Sequence, residues 1–330
     1  MKKILKILCV LFACVCLMTC LACNSEDKGG SFTFTAPDGA PALAVSKFIN
    51  DNENFDDNNN FTYNVVPAST IGKIMIKGES DFIVMPVNAA TKLYNSNKDN
   101  AYKMVSVITH GNLFIMTKGE KSLEELKGKI VGVIGQGNVP DLTFKAILND
   151  AQIEYETSEI AIEGKIAIRY FDDASSLIPM LKQGKLTIGL LPEPAATKLT
   201  KMDASYATRI DVQELFDSKN KSYPQAVLMA KTSVIESNPN LIKKMQSAFE
   251  EGVEWLNNNI ETAVSAVNSA LVEGVTPSLA ASNIDENVIE GCNIFWQSSV
   301  DSKSVVENYI EKLIAVNENS AKMPQDDFFM

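Results

Sequence analysis

The sequence predicts an α/β protein of two similar lobes. An internal repeat, an alternation of short apolar runs with helical ones, and a change to mainly helical signal after residue 230 all point there. The repeat is the octapeptide Pro-x-x-Ala-Ala-Thr-Lys-Leu, at Pro86–Leu93 and again at Pro192–Leu199, 106 residues later. At the same offset Gly78 meets Gly184, and Ala68-Ser69 meets Ala174-Ser175. A period of 20 to 50 residues would mean a solenoid, whereas one copy per hundred residues fits a duplicated half-domain with a ligand-sized cleft between the copies.

Each predicted element has a local reason. Apolar runs of four to six residues, many of them β-branched or aromatic, predict strands at 32–36, 63–66, 82–85, 103–107, 113–117, 130–134, 166–171, 188–191 and 225–230. Between them, helices are predicted near Pro41, Ser69, Asn88, Ser122, Pro140, Ser175 and Pro194. Ser122-Leu-Glu-Glu125 reads as a capping box, with Gly128 closing that helix. Strand and helix in alternation imply βα units around a largely parallel sheet. Asn238-Pro239 is the expected start of a long helix in an α-rich tail that runs to Asn317. The polar stretch 50–64 is expected to be a surface loop. It lacks the glycine and closing glutamate of a calcium loop, so no metal is expected there.

At the amino terminus, Lys2, Lys3 and Lys6 open an apolar stretch that reaches Ala22 without an acidic residue. This reads as a secretory signal peptide at 1–22. Cys20-Leu21-Ala22-Cys23 resembles a bacterial lipobox, with Cys23 the expected acylated first residue. A start at Cys20 would leave Thr19 at the small-residue position. Residues 23–31 are the expected flexible tether. The implied location is the cell envelope, lipid-anchored at the extracytoplasmic face.

Five of the six cysteines lie in or at the end of that leader, leaving Cys292 as the one side-chain thiol. No disulfide framework or cysteine metal cluster can be built from it. Without residues 1–22 the chain carries 27 basic against 41 acidic residues, a formal charge of −14, which argues against nucleic acid as a partner.

In open parallel sheets ligands sit beyond the carboxyl ends of the strands. The turns expected there are Ala36-Pro-Asp-Gly-Ala-Pro41, Val66-Pro-Ala-Ser-Thr70, Met85-Pro-Val-Asn-Ala89, Gly135-Gln-Gly-Asn-Val-Pro140, Asp172-Asp-Ala-Ser-Ser176 and Leu191-Pro-Glu-Pro-Ala195. Small residues at helix starts let a ligand approach backbone N–H groups. Gly135-x-Gly-x-x-Pro140 departs from a dinucleotide fingerprint at its third position. One histidine and one free thiol offer a single nucleophile–base combination, so neither an enzyme nor a cofactor is expected.

Phe34-Thr-Ala-Pro-Asp-Gly-Ala-Pro-Ala-Leu43, Pro86-x-Asn-Ala-Ala90, Ser122-Leu-Glu-Glu-Leu-Lys-Gly-Lys129, Leu191-Pro-Glu-Pro194 and Tyr223-Pro-Gln-Ala226 resemble the lipid-anchored substrate-binding proteins of ABC importers. The subgroup they resemble is associated with nitrate, sulfonate, taurine and thiamine-precursor uptake. The resemblance implies a type II periplasmic-binding-protein fold, with two α/β lobes joined by a two-strand hinge and a helical C-terminal extension. It implies lobe 1 at 32–118 and 223–330, lobe 2 at 119–222, a first crossing near 117–120 and a return near 222–225. A permease and its ATPase complex would be the partners.

Carried across turn by turn, the implied ligand contacts are Asp38, Gly39, Ala40, Ser69, Asn88, His110 and Asn112 from lobe 1. Gln136, Gly137, Asn138, Ser175 and Glu193 come from lobe 2, with Tyr223 lining the hinge. Each has a structural alternative. Asp38, Ser69, Asn138 and Ser175 serve equally as helix caps, Gly39 and Gly137 as turn glycines, Glu193 as part of a rigid solvated turn, and His110 and Tyr223 as core residues. Only two arginines exist, Arg169 and Arg209, so the ligand is expected to be a heteroaromatic precursor, a sulfonate or a similar small molecule, with the heteroaromatic preferred over nitrate. A ligand-binding sensor or adhesin lipoprotein would use the same fold, as would, less favoured, an enzyme.

Overall fold

The computed structural model describes residues 27–96 and 101–330. The expected leader, the acylated Cys23 and the start of the tether lie outside the described residues. The chain forms two six-stranded sheets. Strands β1 (Gly30–Pro37), β2 (Asn59–Val66), β3 (Phe82–Pro86) and β4 (Tyr102–His110) lead into β5 (Leu113–Thr117), β6 (Ile130–Ile134), β7 (Tyr155–Thr157) and β8 (Ile166–Phe171). After them come β9 (Ile188–Pro192), β10 (Thr208–Asp211), β11 (Pro224–Lys231) and β12 (Ile294–Ser298).

The helices in chain order begin with α1 (Ala40–Ala44), α2 (Ser46–Asp51), α3 (Ile71–Lys77), α4 (Val87–Leu93), α5 (Val139–Asp150), α6 (Ala174–Lys182) and α7 (Ala195–Met202). They continue with α8 (Val212–Phe216), α9 (Thr232–Ser237), α10 (Leu241–Asn258), α11 (Ile260–Ser269), α12 (Glu286–Gly291) and α13 (Ser299–Val316). No helix among the described residues is long and apolar enough to cross a membrane.

The first sheet has the order β12-β4-β11-β3-β1-β2, and the second β10-β5-β9-β6-β8-β7. In each, a parallel set is interrupted by one antiparallel strand that has crossed from the other half: β11 between β3 and β4, and β5 between β9 and β10. The repeated octapeptide occupies equivalent places. Pro86 ends β3 and pairs with Ala226 of the crossing strand, and Pro192 ends β9 and pairs with Leu113 of the other crossing strand. Gly78 and Gly184 both take left-handed turns, at φ 66° and 69°, which a side chain would strain.

Three expectations change. The chain leaves the first sheet at residues 110–113, earlier than the expected 117–120, because Leu113–Thr117 pairs with β9 and β10 inside the second sheet. The capping box at Ser122 forms its side-chain contact, Ser122 Oγ to Glu125 Oε1 at 3.2 Å, but over a single 3-10 turn (Glu124–Leu126) instead of a helix. The expected loop at 50–64 gives up its end to β2, while the tail is α-rich as expected and also adds the edge strand β12 to the first sheet.

Burial follows this arrangement. On one face of the first sheet Phe32, Phe34, Phe61 and Phe82 pack with Phe48 and Phe249, each such ring contributing about 2 kcal/mol through removal from water. A second core runs from Met85 and Met104 through Tyr223 and Tyr309 to Val131, Val133 and Phe144, so apolar packing is continuous between the sheets. Helix α13 makes that bridge. Tyr309 on it stacks on Tyr223 at 5.3 Å and shares a 2.6 Å hydrogen bond with Thr143 on α5.

Candidate functional site

Since β1, β3 and β4 are parallel, their carboxyl ends share one edge of the first sheet. The carboxyl ends of β6, β8 and β9 share one edge of the second. The two edges meet at the crossing segments. There the backbone N–H of Gly111 donates to the Tyr223 carbonyl at 2.8 Å, and that of His110 to the Asn293 carbonyl at 3.0 Å. Gly111 is required by close approach: a Cβ there would lie 2.7 Å from Tyr223 Cζ and 2.8 Å from Gln213 Cγ.

Asn112 is the centre of this joint. Its N–H donates to Gln225 Oε1 at 3.1 Å, its Nδ2 to the Glu193 carbonyl at 3.4 Å, and its own carbonyl accepts from the Glu193 N–H at 2.9 Å. Gln213 holds the adjoining residue, accepting from Leu113 N at 2.8 Å and donating to its carbonyl at 3.0 Å. The Tyr223 hydroxyl donates to the same Gln213 Oε1 at 3.2 Å, so Tyr223 is packed within the joint instead of lining an open hinge.

Glu193 is buried, not the solvated turn residue of the structural alternative. Its Oε2 accepts from Thr197 N at 3.0 Å at the start of α7, and its Oε1 accepts from Thr197 Oγ1 at 2.8 Å and Arg209 Nη1 at 2.6 Å. The carboxylate is therefore committed within the protein. Asn88, at the equivalent strand end, spans the two edges, its Nδ2 donating to the Gly137 carbonyl at 3.4 Å and to the Ser320 carbonyl at 3.1 Å. On the other flank Lys201 of α7 meets Asp285 at 3.2 Å and the Ser282 carbonyl at 3.3 Å.

His110 is stacked face to face on Phe295 at 3.5 Å, with Nε2 3.3 Å from Gln297 Oε1. Burial pushes its pKa down to about 4, against the weaker upward pull of Gln297 and the Asn293 backbone, so the imidazole is neutral at pH 7. Asp38 follows β1 and accepts from Ser278 N at 3.0 Å through Oδ2. Beside it Gly39 is partly exposed and Ala40 buried, both at the start of α1.

Of the remaining expected residues Gly137 reaches the joint through its carbonyl, which accepts from Asn88 Nδ2, and the others are not drawn into it. Ser69 is exposed in the short turn before α3. Gln136, Gly137 and Asn138 are exposed in the turn before α5, and Asn138 makes no side-chain cap. Ser175 is exposed and donates to Asp173 Oδ1 at 2.6 Å, while Asp173, not Ser175, caps α6 in a box with Ser176.

The residues that sequence reasoning missed are supports. Asp141 is buried and reaches back to Gly137 N at 2.8 Å while accepting from the Tyr170 hydroxyl at 2.9 Å, which fixes the Gly135–Asn138 turn. Its signal was present: an acid three residues after Asn138 lies where a capping side chain reaches back. Gln213, Gln225, Asn293 and Gln297 carried no local signal.

Among the described residues, four of the twelve buried side-chain polar atoms without a hydrogen-bond partner belong to expected site residues: Asp38 Oδ1, Asn88 Oδ1, His110 Nδ1 and Asn112 Oδ1. Asn88, His110 and Asn112 are each 2% exposed. Buried polar atoms are nearly always paired, so their gathering at one sheet edge marks a place where a further molecule can supply hydrogen bonds.

The sequence profile of the family described as NMT1/THI5 like matches residues 70–263, more than half of the chain. No curated protein matches the chain by sequence. Among solved structures, an ABC transporter protein from Parabacteroides distasonis superposes with a TM-score of 0.72 at 19% identity, covering 91% of this chain and 98% of that one. The periplasmic aliphatic sulphonate binding protein SsuA from Escherichia coli gives 0.64 at 12% identity, covering 91% and 96%. The periplasmic nitrate-binding protein NrtA from Synechocystis gives 0.59 at 10% identity, covering 92% and 85%. At these identities the likeness concerns the fold, and the two-sheet architecture is that of periplasmic binding proteins.

Proposed function

The chain belongs to the NMT1/THI5-like family, and we propose that it is an extracytoplasmic solute-binding protein that captures a small molecule between its two halves and delivers it to an ABC importer. The observation that carries this reading is the buried polar joint, where Asn88, His110 and Asn112 keep unpartnered atoms at or beside the meeting of two sheet edges, with Asp38 Oδ1 unpartnered further along the first edge. A ligand bonded to both edges favours their closed arrangement through its differential affinity for it, and a permease with its ATPase reads that closed shape. The leader and Cys23 support secretion and lipid anchoring at the extracytoplasmic face.

Catalysis finds no support in this arrangement. Glu193 is held by Arg209 and Thr197, Cys292 is buried, and His110 bonds Gln297. The test is a thermal-shift screen of the chain from residue 24, which contains every described element, against amino acids, sulfonates, nitrate, amines and heteroaromatic precursors. Binding raises the unfolding midpoint in proportion to the logarithm of ligand concentration. A hit weakened by Asn112→Ala supports the reading; silence across the panel from a folded protein counts against it.

A further inference from the structure

Three of the unpartnered atoms are oxygens whose chemistry is unambiguous: Asp38 Oδ1, Asn88 Oδ1 and Asn112 Oδ1. The amide orientations follow from their neighbours. Asn88 Nδ2 faces two carbonyl oxygens and Asn112 Nδ2 faces one, so exchanging N and O would set acceptor against acceptor. Asp38 already uses Oδ2 to accept from a backbone N–H. The site thus offers acceptors and has spent its amide donors on the protein itself.

Placement brings the three together. Asp38 follows β1 and Asn88 follows β3, its neighbour in the sheet; Asn112 follows β4 and bonds Gln225 at the start of β11, which lies between β3 and β4. Neighbouring strands are about 5 Å apart, so Asp38 and Asn88 stand one interval apart and Asn112 two intervals beyond Asn88, an edge about 15 Å long that an extended chain can follow and a single ring cannot.

The cations are engaged elsewhere. Arg209 donates to Glu193, Thr197 and Thr200, and Arg169 pairs with Glu159 at 2.7 Å. Among the described residues no lysine or arginine donates to Asp38, Asn88 or Asn112. An oxyanion would bring more acceptors to this edge, next to a carboxylate with no cationic partner. An elongated molecule with N–H groups along its length would satisfy all three oxygens.

Building on the solute-binding reading, we propose that the ligand is an elongated nitrogen compound, neutral or cationic, that presents N–H donors along its length to Asp38, Asn88 and Asn112, and is not an oxyanion. The test is calorimetric titration of the chain from residue 24 in two arms. One arm holds putrescine, spermidine, spermine and agmatine; the other holds nitrate, sulfate, phosphate and ethanesulfonate. The expected result is saturable binding confined to the nitrogen arm, weakened at least tenfold by Asp38→Asn, which puts a donor where an acceptor stood.

Asn112→Ala, which deletes an acceptor from the opposite end of the edge, gives the same expectation should Asp38→Asn fail to fold. Saturable binding of an oxyanion overturns the inference and leaves the solute-binding reading standing. So does nitrogen binding that neither variant weakens. Silence of both arms overturns the inference, and silence of the broader screen as well removes the reading on which it rests.

Discussion

Arg209 Nη1 donates to Glu193 Oε1 at 2.6 Å, tying the strand β10 to the turn that follows β9. Glu193 is only 2% exposed, whereas the Arg209 side chain is 29% exposed. The pair therefore lies between a surface ion pair and a fully buried one. Removing the partly exposed member strands a buried carboxylate, which is the costlier of the two truncations.

Arg209→Ala is expected to destabilise the protein by about 2–4 kcal/mol, with Arg209→Lys recovering only part of the loss because a single ammonium cannot serve Glu193, Thr197 and Thr200 together. Urea denaturation reads this directly. A change below about 0.5 kcal/mol would place the pair with ordinary exposed salt bridges.

His110 makes stability depend on pH. The unfolded imidazole takes up a proton near 6.5 and the folded one only near 4, so between those values the unfolded state binds more protons. The contribution of the neutral ring is complete above about pH 6.5 and falls as pH drops toward 4, by up to about 1.4 kcal/mol per pH unit. The sequence contains one histidine, so an untagged protein gives one imidazole signal to follow by NMR. It should hold its neutral position from pH 7 down to pH 5; a midpoint near 6.5 would mean that the ring is open to water.

Burial drives the Cys292 thiol far above its usual pKa, with the charge of Glu193 adding to the effect. A chain beginning at residue 24 should then leave a thiol reagent unconsumed at pH 8 while folded and consume one equivalent once unfolded in urea. Rapid stoichiometric labelling of the native protein would contradict this.

The sequence carried the architecture well because strand ends and helix starts are local events. The repeated Pro-x-x-Ala-Ala-Thr-Lys-Leu segments fall on equivalent strand–helix turns, since each proline ends a strand beside a crossing strand and each following run packs one face against its sheet. The crossing point was not legible, because the apolar run 113–117 looks the same whichever sheet it joins. Pairing with β9 and β10 decides it, and those partners are about 75 to 95 residues away.

The site was legible in part for the same reason. Asn88 and Asn112 stand at strand ends and are found at the joint. The commitment of Glu193 to Arg209 depends on strand neighbours that no local pattern records. Ser69 and Ser175, matched by the repeat offset, are both exposed, and the capping role open to Ser175 is filled by Asp173.

The most direct test of the central claim is the distance between the halves. Spin labels at Lys182→Cys on α6 and Glu254→Cys on α10, both exposed positions in opposite halves, report it by pulsed electron resonance with Cys292 replaced by Ser. With the tightest-binding compound of the screen added to saturation, the distribution should narrow toward a single distance absent or minor in its absence. An unchanged distribution at full occupancy would contradict a protein that closes on its solute.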